Sequence, residues 1–195
     1  MAAAGYRTRT YTAVLARLAR EGSAWPQPAE TGTVGTSRGG EAVNGKPSRW
    51  RTQGVRIIPA DQLDDATAQT LGMRRRAAVT TERTGATKLW AGTVTINANA
   101  KTGAHHHGDL ESVIYVVRGL ARLRWGDQLE FVAEAAPGDF IYVPPYVPHQ
   151  EINGSEDAEL HCVLARSGQQ GLVVNLDITP VEVPELVRWI DDLHR

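Results

Sequence analysis

The sequence predicts an all-β fold, an antiparallel sheet closed into a barrel or folded into a sandwich, with a few short helices at its edges. Three observations carry this. From residue 77 to residue 177 the apolar residues fall in short runs, most of them β-branched or aromatic. Gly, Asn, Asp or Pro separates each run from the next. Gly126-Asp127 stands between two such runs as a hairpin turn. Short strands at this cadence suit a closed or sandwiched sheet.

The strands are expected at Ala77–Thr81, Lys88–Asn97, Val113–Val117, Ala121–Trp125, Leu129–Ala133, Phe140–Val143, His149–Ile152, Glu159–Ala165 and Val173–Asp177. Before them, ordered structure should begin near Trp50, with a strand at Val55–Ile58 and a short helix over Ala60–Leu71. Asp61 stands near the start of that helix and Gly72 just past its end. Residues 1–48 read as a disordered or loosely attached arm, with a short helix at Thr12–Glu21. The stretch WPQPAETGTVGTSRGGEAVNGKPS is too poor in apolar side chains to offset chain entropy. The barrel is expected over residues 49–180 and a tail over 181–195, holding a last helix with Leu186, Ile190 and Leu193 on one face.

Charge narrows the partners. Residues 1–50 carry a net +4 and residues 51–195 a net −5, which together give −1 for the 195-residue chain. The body is mildly acidic and lacks the broad basic face that phosphate backbones require, so nucleic acid is not an expected partner. No apolar run approaches the ~20 residues that span a bilayer, and none forms a secretory core. The early Arg-containing, acid-poor stretch (Arg7, Arg9, Arg17, Arg20) loosely resembles a mitochondrial transit peptide. A cytoplasmic location is the expectation. Cys162 is the only cysteine, so no intrachain disulfide can form. Its apolar setting, LHCVLA, reads as a buried and inert thiol.

The chemistry concentrates in GAHHHGDLESVIYVVRG (103–119) and PGDFIYVPPYVPHQEIN (137–153). Successive strand residues face opposite ways, so His105 and His107 share a face and His106 takes the other. Glu111 follows after the turn formers Gly108 and Asp109, and His149 comes from a distant strand. Three imidazoles and one carboxylate would suit a divalent transition metal: Fe(II), Mn(II), Ni(II), Cu(II), Zn(II) or Co(II).

These segments resemble the two motifs of the cupin family, a single jelly-roll barrel of the RmlC-like kind. The second motif, G-x5-P-x-G-x2-H-x3-N, is matched by Gly138, Pro144, His149 and Asn153, with Tyr146 in place of a glycine. The first, G-x5-H-x-H-x3–4-E-x6-G, is matched by His105, His107, Glu111 and Gly119. Gly103 stands closer to the histidines than the pattern asks, and seven residues separate Glu111 from Gly119. Counting back from Gly119 puts the acidic ligand at Ser112. Either a β-bulge re-aims Glu111 toward the metal, which is the expectation preferred, or the site has three histidines and no carboxylate. The resemblance implies a metal held by His105, His107, Glu111 and His149, a small-molecule substrate and a homodimer.

The resemblance further implies a dioxygenase, or an isomerase or decarboxylase, since two adjacent open positions on such a metal could bind substrate beside dioxygen or polarise a carbonyl. Glu111 is a candidate proton shuttle. His161 reads as a core histidine or else as an acid–base group lining the pocket. The competing reading is a non-catalytic module that binds or senses a small metabolite; a weaker one is a structural partner protein. Arg118, Arg122 and Arg124 read as a solvated strand face on which one arginine could take a substrate carboxylate. Arg74, Arg75 and Arg76 read as an exposed charge run, and Trp90, Trp125, Tyr142 and Tyr146 as core aromatics.

Overall fold

A computed structural model of the chain describes residues 53–187. The chain divides into Met1–Gly54 and Val55–Arg195, and the architecture below belongs to the second unit. The arm expected over 1–48, its Thr12–Glu21 helix and the tail residues Ile190 and Leu193 lie outside the described residues.

Among the described residues eleven strands form two sheets. They are β1 (Met73–Val79), β2 (Leu89–Ile96), β3 (His105–His106), β4 (Ser112–Arg118), β5 (Ala121–Trp125), β6 (Phe131–Ala135), β7 (Phe140–Val143), β8 (His149–Asn153), β9 (Leu160–Ser167), β10 (Val174–Asn175) and β11 (Glu185–Leu186). One sheet runs β1-β2-β9-β4-β7 and the other β10-β3-β8-β5-β6-β11. All pairings are antiparallel except β11 on β6. The non-sequential order, with β9 between β2 and β4 and β8 between β3 and β5, is that of a jelly roll, as the strand cadence predicts. Among the described residues no helix is long and apolar enough to cross a membrane.

The core is the inward phase of these strands. Val94 and Ile96, Ile114 and Val116, Leu123, and Leu160, Cys162 and Leu164 alternate with outward neighbours and pack between the sheets. Each fully buried aliphatic side chain contributes roughly 1.5–3 kcal/mol by leaving water. Cys162 is buried as expected, and burial pushes its thiol up to about 12, which keeps it protonated and inert. Gly119 turns β4 into β5 at φ 96°, where a Cβ would meet the Glu159 carbonyl oxygen and Leu160 Cα at 2.9 Å. Asn153 closes the β8 end. Its amide donates to the carbonyls of Ile96, Asn97 and Ala158, and its Oδ1 accepts from Ser155 N–H.

Several local expectations are corrected. The helix over Ala60–Leu71 reduces to a 3₁₀ turn at Ala60–Gln62, because the Asp64 backbone pairs instead with Ala77 of β1. Val55–Ile58 finds no strand partner among the described residues, and Val55 and Ile57 are exposed. One helical turn, α1 (Thr81–Thr84), forms where the β1 strand had been extended to Thr81; Thr80 Oγ1 caps it by accepting from Arg83 N–H. Leu186, assigned to a terminal helix, lies in β11. The open edge of β6 takes up this backbone, with Glu185 N–H donating to Glu130 O and Val187 N–H to Val132 O. Tyr142 and Tyr146 are exposed rather than core residues. Tyr146 adopts φ 61°, the left-handed conformation that the motif glycine would take without strain.

Candidate metal centre

The sheet built on β3 and β8 brings the histidines together. His105 and His149 are direct cross-strand partners, and His107 follows β3 one residue on, in the same phase as His105. All three are buried, and one ring nitrogen of each falls within 4.8 Å of the others.

The hydrogen bonds of the rings fix their chemistry. Nδ1 of His105 lies 2.9 Å from Gly103 O, Nδ1 of His107 2.8 Å from Leu172 O, and Nδ1 of His149 2.9 Å from Val147 O. A carbonyl only accepts, so each Nδ1 carries the proton and donates it. Each neutral ring is then left with its lone pair on Nε2, the arrangement in which a metal-ligating imidazole is oriented by its outer-shell partner. Among the described residues, two buried side-chain polar atoms lack a hydrogen-bond partner. One is Arg76 Nε, which still has Asp65 Oδ1 at 3.3 Å; the other is His149 Nε2. A buried acceptor left without a donor costs about 1–3 kcal/mol, and a cation at the focus of the three rings would meet that need. The donor set fits a borderline transition metal.

Glu111 does not join them. β4 begins in regular register, with Ser112 opposite Val143 and Arg166, so Ser112 faces inward and Glu111 outward. The irregularity in β4 falls later, between Val116 and Arg118, where it cannot turn Glu111. The exposed Glu111 carboxylate accepts a 2.6 Å hydrogen bond from the Tyr142 hydroxyl and is not among the residues whose donor atoms converge. The expected bulge is therefore replaced by the three-histidine alternative.

His161 is likewise corrected. It sits on the outward phase of β9, neither in the core nor in the pocket. Its Nε2 lies 2.7 Å from Arg118 Nη2 and 3.1 Å from Glu159 Oε2, a surface polar cluster. His106 takes the opposite face from its neighbours, as its parity predicts, and stands beside the Tyr146 ring. Arg122 pairs with Glu134, and Arg124 donates to the carbonyls of Leu129 and Val181, consistent with a solvated face.

Three charged residues that the sequence reading left out of the site point inward instead. Arg75, read as exposed, lines the small cavity between the sheets with Glu151 and the apolar core, and its guanidinium is 4.0 Å from Glu151 Oε2. Burial alone would raise the Glu151 carboxyl; the charge that His105 and His149 carry when protonated, together with Arg75, outweighs it and holds the group below its ordinary value. Arg166 donates from Nε to Ser112 Oγ at 3.1 Å and from Nη2 to His107 Nε2 at 3.0 Å. Burial lowers its guanidinium from the usual value, and Glu151 opposes that shift. Burial and the Arg166 cation together push His107 down to about 3, so its Nε2 is unprotonated throughout the neutral range. His149 is lowered chiefly by burial.

Residues 92–164 match the model of the family described as the cupin domain. Among solved structures the chain is similar to the polyketide cyclase RemF from Streptomyces resistomycificus. The TM-score is 0.55 at 21% identity, covering 67% of this chain and 89% of that one. It is also similar to Peruvianin-I, a cysteine peptidase from Thevetia peruviana latex, with TM-score 0.51, 14% identity, and coverage of 63% and 77%. KdgF from Halomonas sp. aligns at TM-score 0.49 and 17% identity, over 60% and 96% of the two chains. No curated protein matches. The cupin-domain match, residues 92–164, lies across the two-sheet jelly roll and contains all three histidines of the cluster.

Proposed function

We propose that this protein is a metal-dependent enzyme acting on a small molecule at a three-histidine centre, of dioxygenase type or of isomerase or decarboxylase type. The observation that carries this reading is the convergence of three buried imidazoles whose Nδ1 atoms all face main-chain carbonyls. His105, His107 and His149 would hold the ion. When bound, a divalent transition metal supplies Lewis-acid polarisation or dioxygen activation at this point. The chain's own part is to present the three imidazoles and to hold Arg166 against His107, with Arg75 and Glu151 paired in the neighbouring cavity that Ile114, Leu123 and Leu164 line.

Elemental analysis of protein purified without an affinity tag is expected to find about one Fe, Mn, Ni, Cu, Zn or Co per chain. Oxygen consumption with Fe(II) across small diketones, thiols and catechols, set beside decarboxylation and isomerisation assays, separates the two reaction types. Protein devoid of transition metal sinks the proposal. Tight ligand binding without turnover at every metal loading would favour a non-catalytic sensing module.

A homodimer belongs to the same proposal. The outer face of the β4-β7-β9 sheet carries Val113, Val117, Phe140, Tyr142 and Val163, all exposed, with Tyr115 against Phe140 at 4.8 Å between ring centroids. An apolar face of this kind, beside the edge strand β7, suits a second copy. Light scattering should give twice the 21.2 kDa chain mass. Phe140→Asp should shift it toward the monomer, and a monomeric wild type refutes this part.

A further inference from the structure

The inward phase of β9 runs Leu160, Cys162, Leu164, Arg166, so a guanidinium ends a row of core residues. Removing such a cation from water costs several kcal/mol unless its donors are met. Arg166 has only neutral partners: Ser112 Oγ at 3.1 Å and His107 Nε2 at 3.0 Å. Among the described residues it makes no ion pair within 4 Å, whereas Arg75 has Glu151 at that distance. The carboxylate that would offset this charge, Glu111, is on the outer surface, and Ser112 in the inward position serves as anchor for the arginine.

His107 Nε2 has one lone pair, which serves either the Arg166 N–H or a metal ion, never both. Metal binding therefore releases Nη2 while the Nε–Ser112 bond keeps the guanidinium beside the ion. Two cationic groups then adjoin each other with no protein carboxylate as metal ligand. With the three imidazoles neutral and Arg75 matched by Glu151, the centre carries the metal's full charge plus that of Arg166. That field selects a negatively charged ligand, and the planar fork of Arg166 fits the two oxygens of a carboxylate.

We propose that Arg166, held by Ser112, is the anion-recognition residue of this site, and that the molecule taken there is a small carboxylate. This rests on the three-histidine metal reading above. It predicts that neutral analogues of the same shape are rejected, because they leave the guanidinium without a counter-charge.

The test uses the full chain reconstituted with Co(II), titrated with acetate and with its neutral isostere acetamide, followed by calorimetry and by the cobalt absorption bands. Elemental analysis accompanies each sample. Acetate is expected to bind wild type about tenfold or more tightly than acetamide, and R166Q is expected to lose about that factor for acetate while keeping its cobalt. S112A, which removes only the anchor, should fall between them and serves as the comparison if R166Q does not fold. Equal acetate affinity in wild type and variant, or no preference over acetamide, overturns the assignment of Arg166 while the cobalt content leaves the metal centre standing. Wild type that takes up no cobalt overturns the metal reading, and this inference with it.

Discussion

His149→Ala is expected to lose the metal almost completely, while His106→Ala, one residue from the cluster but on the other face, keeps it. His149 is 1% exposed, and its Nε2 is the buried acceptor without a donor, so the ring has no other role that its geometry explains. Loss of an outer-shell partner alone typically costs 10–100-fold in metal affinity, and loss of a ligand should exceed roughly a hundredfold. The effect on stability should depend on metal. Without the ion, alanine removes an unmet acceptor costing about 1–3 kcal/mol and opens a small cavity, two terms of opposite sign. With metal at about a thousandfold excess over Kd, wild type gains about 4 kcal/mol by mass action and the variant gains little. Thermal melts with and without metal, paired with elemental analysis, read both quantities. Unchanged metal stoichiometry in His149→Ala would remove the ring from the centre.

Acid should destabilise the metal-free protein well before its carboxylates titrate. His107 is held down at about 3 by burial and then by the Arg166 cation, whereas the same ring in the unfolded chain has an ordinary value near 6.5. Between those values the unfolded state takes a proton that the folded state refuses. The stabilisation is therefore complete above about pH 6.5 and drains away as pH falls toward 3, by up to about 1.4 kcal/mol per pH unit for this one group. His149, lowered by burial, acts in the same direction. Glu151 is also lowered, but it contributes only as pH falls below the ordinary carboxylate range, so the window from 6.5 to 5 isolates the imidazoles. Urea midpoints of metal-free protein at pH 7.5, 6 and 5 should fall steadily, and His107→Ala should flatten the decline. A wild-type midpoint indifferent to pH across this range would contradict the burial of a neutral His107.

The barrel was legible because its strands keep strict alternation: Ile114 and Val116, or Leu160, Cys162 and Leu164, mark one face without ambiguity. The same parity correctly paired His105 with His107 and set His106 apart. Glu111 was misread because a motif count tolerates one residue of slack and a strand does not; a single step exchanges the core for the surface. Arg75, Glu151 and Arg166 were missed although the signal was present. Each falls on the inward phase of its strand, Arg75 between Met73 and Ala77, Glu151 between His149 and Asn153, and Arg166 after Leu164. A charge on that phase marks a site; for Arg75 the adjoining Arg74 and Arg76 favour the reading of a solvated run instead. The Ala60–Leu71 helix failed for a different reason: its residues had caps but no apolar face, and Leu71 is 97% exposed.

The three imidazoles owe their tautomers to the oxygens of Gly103, Val147 and Leu172, which every amino acid would supply equally at those positions. The side chains at these three positions can therefore change without altering the ring orientation, provided the chain path persists.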